Sequence, residues 1–120
     1  MPSTTTFRRG QVVVVDVPFT NHSGVKPRPA LVVSAEVFHR DLQDVIICPI
    51  SSQPRHYHRP GRGDSPLRDW RAVGLQHPST ARVSTLLAVD KQIIRRVLGH
   101  VSPRDLTRVE AGLRQALALR

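Results

Sequence analysis

Short runs of β-branched and aliphatic residues, each ended by proline, glycine or a polar residue, most constrain how this chain can fold. Gln11–Val17 is rich in valine and lies between Gly10 and Pro18, and Ala30–Ser34 and Asp44–Ile50 are runs of a similar kind. Runs of this length are typical of buried strands and are too short for core helices. The chain is therefore predicted to build a sheet of short strands.

Two further strands and one helix are predicted in the C-terminal half. Thr80–Leu87 and Ile93–Val101 are apolar runs separated by a turn around Asp90. Ser102 suits a helix N-cap and Pro103 suits the first helical position. Apolar residues then recur at three- and four-residue spacing, at Leu106, Val109, Leu113, Ala116 and Leu117. The predicted fold class is mostly β, a small antiparallel barrel or curled sheet with one C-terminal α-helix.

Proline and glycine mark two long loops between the predicted strands. The first covers Phe19–Pro29, and the second covers Ser51–Pro78, whose middle is rich in arginine. Loops that leave a rigid sheet often carry binding residues, so the second is predicted to be a mobile, basic binding loop. Pro49 donates no ladder hydrogen bond, which places it on an edge strand or near a strand end. Residues 1–7 are predicted to form a flexible tail.

The length of 120 residues fits a single domain over residues 1–120. No run approaches the roughly 18 consecutive apolar residues of a membrane span, so no membrane association is expected. The N-terminus is polar and lacks the apolar segment of a secretory signal, so no secretory signal is expected. Cys48 is the only cysteine, which excludes an intramolecular disulfide and favours a reducing, cytoplasmic location.

Charge indicates the kind of partner. The chain has 18 basic and nine acidic side chains, a net charge of +9, and every base except Lys26 and Lys91 is arginine. Arginine grips phosphate and carboxylate groups in two places at once, so this balance favours a polyanionic partner. A nucleic acid and an acidic protein both fit, and composition alone does not separate them.

Several kinds of site are not expected. His56, His58 and His77 have no acidic or thiol ligand at a useful spacing, so no metal site is predicted. The chain has neither a GxxxxGKS/T phosphate loop nor a GxGxxG motif, and no cofactor is predicted. The few aromatic residues form no stacking platform for bases, and Trp70 is expected to cover the side of the core.

What remains is a set of polar residues near predicted strand ends. Arg28 precedes the second strand, Ser51 and Ser52 follow the third, Arg82 lies on the next, and His22 lies in the first loop. Together they would supply guanidinium, hydroxyl and imidazole groups without a carboxylate. Guanidinium neutralises charge that develops on a phosphate, and imidazole moves protons near neutral pH. Such a site suits the cleavage of a phosphodiester.

In order and spacing, several segments resemble the PemK/MazF family of toxin–antitoxin endoribonucleases. The resemblance covers nearly the whole chain, from about Arg8 to the C-terminal helix. It rests on RGQVVVVD at 9–16, RPALVVS at 28–34, CPISS at 48–52, GL at 74–75, PS at 78–79, RV at 82–83, VDK at 89–91 and LGHVSPRDL at 98–106.

The resemblance implies an SH3-like barrel of the MazF/CcdB type that works as a homodimer. It also implies sequence-specific, metal-independent cleavage of single-stranded RNA, through attack of the 2′-OH and a 2′,3′-cyclic phosphate. A cognate antitoxin with an acidic tail is implied as the second partner.

The resemblance also assigns roles to individual residues. Arg28 matches the catalytic arginine of the family, and Ser51 falls where many members have a catalytic threonine. His22 corresponds to a histidine that helps to hold the scissile phosphate, and it is the candidate general base. Arg82 matches a second functional arginine of one branch, in which an aspartate follows two residues later; this chain has Ser84 there. The catalytic candidates are therefore Arg28, Ser51 and His22.

Candidate RNA-binding residues accompany the catalytic candidates. They are Lys26, Ser52, Gln53, Arg55, Arg59, Arg82 and Ser84. Two other functions stay open: a toxin of the same fold that poisons a DNA topoisomerase without nuclease activity, and a non-catalytic RNA-binding barrel.

Overall fold

The computed structural model describes residues 6–18 and 25–120, and the predicted catalytic residue His22 lies outside these ranges. Within these ranges every strand pair is antiparallel, and the strands follow the order β4-β5-β3-β2-β1-β7, with β6 also paired to β3. The strands are β1 Gln11–Pro18, β2 Val25–Val32, β3 Asp44–Ser51, β4 Ser65–Pro66, β5 Thr80–Ala81, β6 Leu87–Asp90 and β7 Ile94–His100.

In the described residues, three α-helices accompany the sheet: α1 Glu36–Asp41, α2 Pro54–His58 and α3 Pro103–Leu117. The terminal helix begins as predicted, because the Ser102 hydroxyl accepts the backbone N–H of Asp105. No helix in the described part of the chain is long and apolar enough to cross a membrane. The predicted fold class, mostly antiparallel β-structure with a C-terminal helix, is confirmed.

Strand β1 is buried on both faces, which explains its continuous run of valines. Val12 belongs to one hydrophobic cluster, together with Val109 and Leu113 of α3. Val13 and Val15 belong to a second cluster on the opposite face. Because neighbouring side chains of a strand point to opposite faces, burial on both sides requires apolar residues at consecutive positions. The helix therefore covers one face of the sheet, and the second cluster, which includes residues of β2 and β3, covers the other.

The predicted loop over Phe19–Pro29 is wrong for its last part. Strand β2 begins at Val25, and Arg28 lies within it, opposite Val15 of β1. Pro27 and Pro29 fit there because β3 pairs with β2 only along Ala30–Val32, so the missing proline N–H groups break no ladder on that side. Proline here marks the partly unpaired side of a strand.

The segment Thr80–Leu87 is not one strand. It divides into β5, a 3-10 turn at Val83–Thr85 and the start of β6. The turn is held by Asp64, whose carboxylate accepts the backbone N–H of Ser84. The side chain of Asp64, distant in the sequence, therefore binds the backbone of Ser84 where a continuous strand was predicted.

Three smaller predictions also change. The Ser51–Pro78 segment is not irregular throughout, because it contains α2 and β4. Helix α1 was not predicted; it is short and has no side-chain cap. Phe7 was placed in the flexible tail, but it is buried in the second hydrophobic cluster. Pro49 does lie near the end of its strand.

Candidate active site

A groove of about 430 Å³ brings together residues from several strands and from α2. Arg28 comes from β2, Ser51 from the end of β3, His56 from α2, and Arg82 from the residue after β5. The rest of the lining is mostly aliphatic and includes Ile50, Leu87, Val89 and Ile93. Asp16 of β1 also lines the groove, and its carboxylate lies 3.6 Å from Nη1 of Arg95. The expectation of a site without a carboxylate is therefore wrong, and basic, hydroxyl and carboxylate groups surround an apolar floor.

Strand register explains why Arg28 and Ser51 share this groove. Ala30 of β2 is paired with Pro49 of β3 in an antiparallel ladder. Arg28 lies two residues before Ala30 and Ser51 lies two residues after Pro49, so both lie just beyond the same end of this ladder. Two residues that are distant in the sequence therefore line one groove.

A second set of contacts holds Arg82. Its Nε donates to Oδ2 of Asp64 at 2.7 Å, and the Asp64 side chain is only 1% exposed. The same carboxylate accepts the backbone N–H of Ser84 at 2.9 Å and the Ser84 hydroxyl at 3.1 Å. A buried carboxylate that accepts several hydrogen bonds is held in one position, and it therefore fixes the orientation of the Arg82 guanidinium.

Asp64 is in turn positioned by a close approach of two glycines. The segment with Gly63, whose φ is +84°, packs against Gly112 on α3. A Cβ atom at Gly112 would overlap the carbonyl oxygen of Gly63. The terminal helix thereby contributes to the site, although none of its residues lines the groove.

His56 lies between Ser51 and Arg82 and contacts both. Its Nδ1 lies 2.6 Å from Oγ of Ser51, and its Nε2 lies 3.2 Å from Nη1 of Arg82. Partial burial lowers the pKa of His56, and the charges of Arg82 and Arg55 lower it further, against an opposing effect of Asp64. The imidazole is therefore held in its neutral form around neutral pH.

The other candidates lie at different distances from the groove. Ser52 and Gln53 line it beside Ser51, while Arg55 is exposed on α2, outside the lining. Arg59 and Lys26 are exposed and also outside it, and Ser84 contacts Asp64 and Arg82.

Sequence reasoning missed His56 and Asp64 as site residues. His56 was considered only as a metal ligand, and the described residues contain no cluster of three or more His, Cys, Asp or Glu side chains able to hold a metal ion. Ser84 stands where one branch of the family has an aspartate, yet Arg82 still has a carboxylate beside it. That carboxylate comes from Asp64, 18 residues earlier in the sequence. No local motif signals this contact.

A larger groove of about 810 Å³ lies elsewhere, between α1 and α3, and none of the predicted site residues that the structure describes lines it. Its lining is mainly aliphatic and includes the exposed residues Val37, Leu42, Leu117 and Leu119. Hydroxyl, imidazole and guanidinium groups converge in the smaller groove, which is therefore the candidate active site.

Solved structures share this fold over nearly their whole length. An endoribonuclease from a mycobacterial species, solved in complex with its cognate antitoxin, has a TM-score of 0.75 at 18% identity, covering 98% of each chain. MazF in a MazE–MazF complex from Deinococcus radiodurans has a TM-score of 0.75 at 20% identity, covering 97% of this chain and all of that one. The Mycobacterium tuberculosis toxin MazF-mt6 has a TM-score of 0.72 at 20% identity, covering 92% of this chain and 98% of that chain.

The fold and the groove thus define a curled-sheet protein of the same architecture as these toxins. Residues 8–117 also match the sequence model of the PemK-like, MazF-like toxins of type II toxin–antitoxin systems. The chain belongs to this family. A comparison with curated protein sequences found no match.

Proposed function

We propose that this toxin is an endoribonuclease that cuts single-stranded RNA at specific sequences without a metal ion. The observation that carries this proposal is the convergence of Arg28, Ser51 and Arg82 on one groove. This set supplies fixed positive charge and a hydroxyl group, the functions that a phosphodiester needs when the RNA provides its own nucleophile.

In the proposed reaction, the 2′-OH of one nucleotide attacks the adjacent phosphorus and the P–O5′ bond breaks. The leaving 5′ oxygen takes a proton from solvent, so the products are a 2′,3′-cyclic phosphate and a free 5′-OH. Arg28 remains protonated throughout and stabilises the charge that builds up on the phosphate oxygens. Ser51 orients the 2′-OH or a phosphate oxygen, and His22 is the candidate base that removes the 2′-OH proton.

The basic surface is proposed to serve two polyanions in turn. The net charge of +9 favours single-stranded RNA and also favours the acidic tail of a cognate antitoxin. The mycobacterial endoribonuclease in complex with its antitoxin and the MazE–MazF complex support the second partner. The toxin is further proposed to act as a homodimer, with a solution mass of twice 13.4 kDa.

The experiment that tests this function uses a long, unstructured RNA in excess EDTA. Wild-type protein is compared with Arg28→Ala and with Arg108→Ala, which removes an exposed arginine of α3 outside the groove. We expect wild type and Arg108→Ala to make the same discrete cuts and Arg28→Ala to make none. Because both variants lose one positive charge, the pair separates a role in the site from a general effect of charge.

Two other results would contradict the nuclease and identify its rivals. Salt-sensitive RNA binding without any cut would support a non-catalytic RNA-binding barrel. Intact RNA together with inhibition of a DNA topoisomerase would support the topoisomerase-poisoning toxin.

A further inference from the structure

The proton position on His56 follows from its neighbours. A guanidinium group can only donate hydrogen bonds, so Nε2 of His56 accepts from Arg82 Nη1 across 3.2 Å. In a neutral imidazole the other nitrogen then carries the proton. Nδ1 of His56 is therefore the donor in its 2.6 Å contact with Ser51 Oγ.

This tautomer determines what the Ser51 hydroxyl can do. Its oxygen accepts from His56 Nδ1 and also from the backbone N–H of Gln53, at 3.2 Å. A hydroxyl oxygen has two acceptor positions, and both are then in use. No hydrogen bond donated by the Ser51 hydroxyl occurs within the described part of the chain, and Ser51 lines the groove.

We propose that His56, held in one tautomer by the Asp64–Arg82 pair, is a positioning residue that makes the Ser51 hydroxyl a hydrogen-bond donor to a phosphate oxygen of the substrate. This inference rests on the proposed ribonuclease function and assigns a hydrogen-bond donor to the phosphate within it. It also separates the site from a serine hydrolase, because there the histidine must accept the serine proton. Here Ser51 stays protonated and the RNA 2′-OH remains the nucleophile.

The arrangement has a predictable dependence on pH. The charged groups that face His56 are Arg82, Arg55 and Asp64. Protonation at Nε2 would set one N–H against the N–H of Arg82 and break that contact. Because its surroundings lower the pKa of His56, the working tautomer persists through neutral pH and is lost only on acidification.

The first test reads the tautomer directly, by ¹⁵N NMR of the imidazole nitrogens in the full-length protein at neutral pH. We expect the His56 resonances of the Nδ1–H tautomer in wild type, and a shift toward the Nε2–H form in Arg82→Gln. A predominant Nε2–H form in wild type would overturn the proposal. Because no RNA is involved, the outcome does not depend on whether the protein is a nuclease.

The second test uses the two amide residues that imitate one imidazole nitrogen each. The amide of His56→Asn can occupy the position of Nδ1 and donate to Ser51, whereas that of His56→Gln reaches the position of Nε2. We expect His56→Asn to keep kcat within about threefold of wild type and His56→Gln to lose about tenfold, the effect of one hydrogen bond. The KM for RNA should change little in both.

Thermal unfolding establishes that both variants are folded before their rates are compared. Equal, large losses in the two variants would identify His56 as a proton-transfer group and overturn the positioning role. Unchanged rates in both would also overturn it. A wild-type protein that leaves RNA intact would instead contradict the proposed function, while the NMR result on the tautomer would still hold.

Discussion

The carboxylate of Asp64 lies 2.7 Å from Nε of Arg82, and this pair joins the turn at Gly63, which packs on Gly112 of α3, to the lining of the groove. Asp64 is almost completely buried, while Arg82 keeps part of its guanidinium at the groove surface. A buried carboxylate that loses its donors, or a donor that loses its carboxylate, leaves an unsatisfied group behind. The geometry of Arg82 therefore depends on a residue outside the groove.

Replacement of the Asp64 carboxylate should weaken the hydrogen bonds that hold Arg82 and those that hold the 3-10 turn at Val83–Thr85. We expect Asp64→Asn to lower the free energy of unfolding by about 1–3 kcal/mol and to reduce RNA cleavage. Asp44→Asn is the matched control, because Asp44 is exposed at the start of β3. Urea denaturation measures stability, and a change no larger than that of the control would contradict the role of Asp64.

The contact between α3 and the loop before β4 predicts an unusual effect of a small substitution. Gly→Ala inside a helix normally stabilises by up to about 1 kcal/mol. At Gly112 the new methyl group would overlap the Gly63 carbonyl, so we expect Gly112→Ala to destabilise the protein by about 1–3 kcal/mol. Thermal unfolding measures this, and an increase in Tm would show that the two segments separate without cost.

How far the sequence predicts this molecule depends on how local each signal is. The valines of Gln11–Val17 and the cap at Ser102 act within a few residues, and both elements form where predicted. Pro27 and Pro29 are local signals too, and they predict a loop. They lie in a strand instead, because β2 pairs with β1 along these residues and with β3 only beyond them. The sequence does not reveal which side of a strand lacks a neighbour.

The site shows the same limit. Arg28, Ser51 and Arg82 line one groove, and the resemblance to the PemK/MazF family pointed to each of them. Asp64 reaches Arg82 because the turn at Gly63 packs on Gly112 of α3. His56 reaches Ser51 because α2 forms. Contacts of this kind depend on tertiary packing, and no spacing in the sequence signals them.

The hydroxyl at position 51 predicts a specific pattern of substitutions. Ser51→Thr keeps the hydroxyl and should retain most of the cleavage rate, whereas Ser51→Ala should lower kcat about tenfold. Single-turnover cleavage of a short RNA measures both rates. Equal rates for Ser51→Ala and wild type would remove Ser51 from the reaction.

Asp69 predicts a pH dependence of stability at a place remote from the groove. Hydrogen bonds from Arg104 and Ser102 lower the pKa of Asp69 from 3.8 to about 2. Because this pKa is depressed in the folded state, the carboxylate stabilises the fold above pH 3.8, and the effect is lost as the pH falls toward 2.

The measurement for Asp69 compares the urea midpoints of wild type and Asp69→Asn at several pH values. The difference between them should be full at pH 6 and shrink between pH 4 and pH 2. A difference that stays constant across this range would mean that the charge of Asp69 contributes nothing to stability.

If the RNA supplies its own nucleophile, a substrate that lacks a single 2′-OH at the cleaved position should resist cleavage. Once the cleaved position in a short RNA is known, the same RNA is prepared with a single 2′-deoxynucleotide on the 5′ side of that bond and incubated with the protein in EDTA. We expect the all-ribose substrate to yield a 2′,3′-cyclic phosphate end and the substituted substrate to stay intact. Cleavage of the substituted substrate at the same bond would show that the 2′-OH is not the nucleophile.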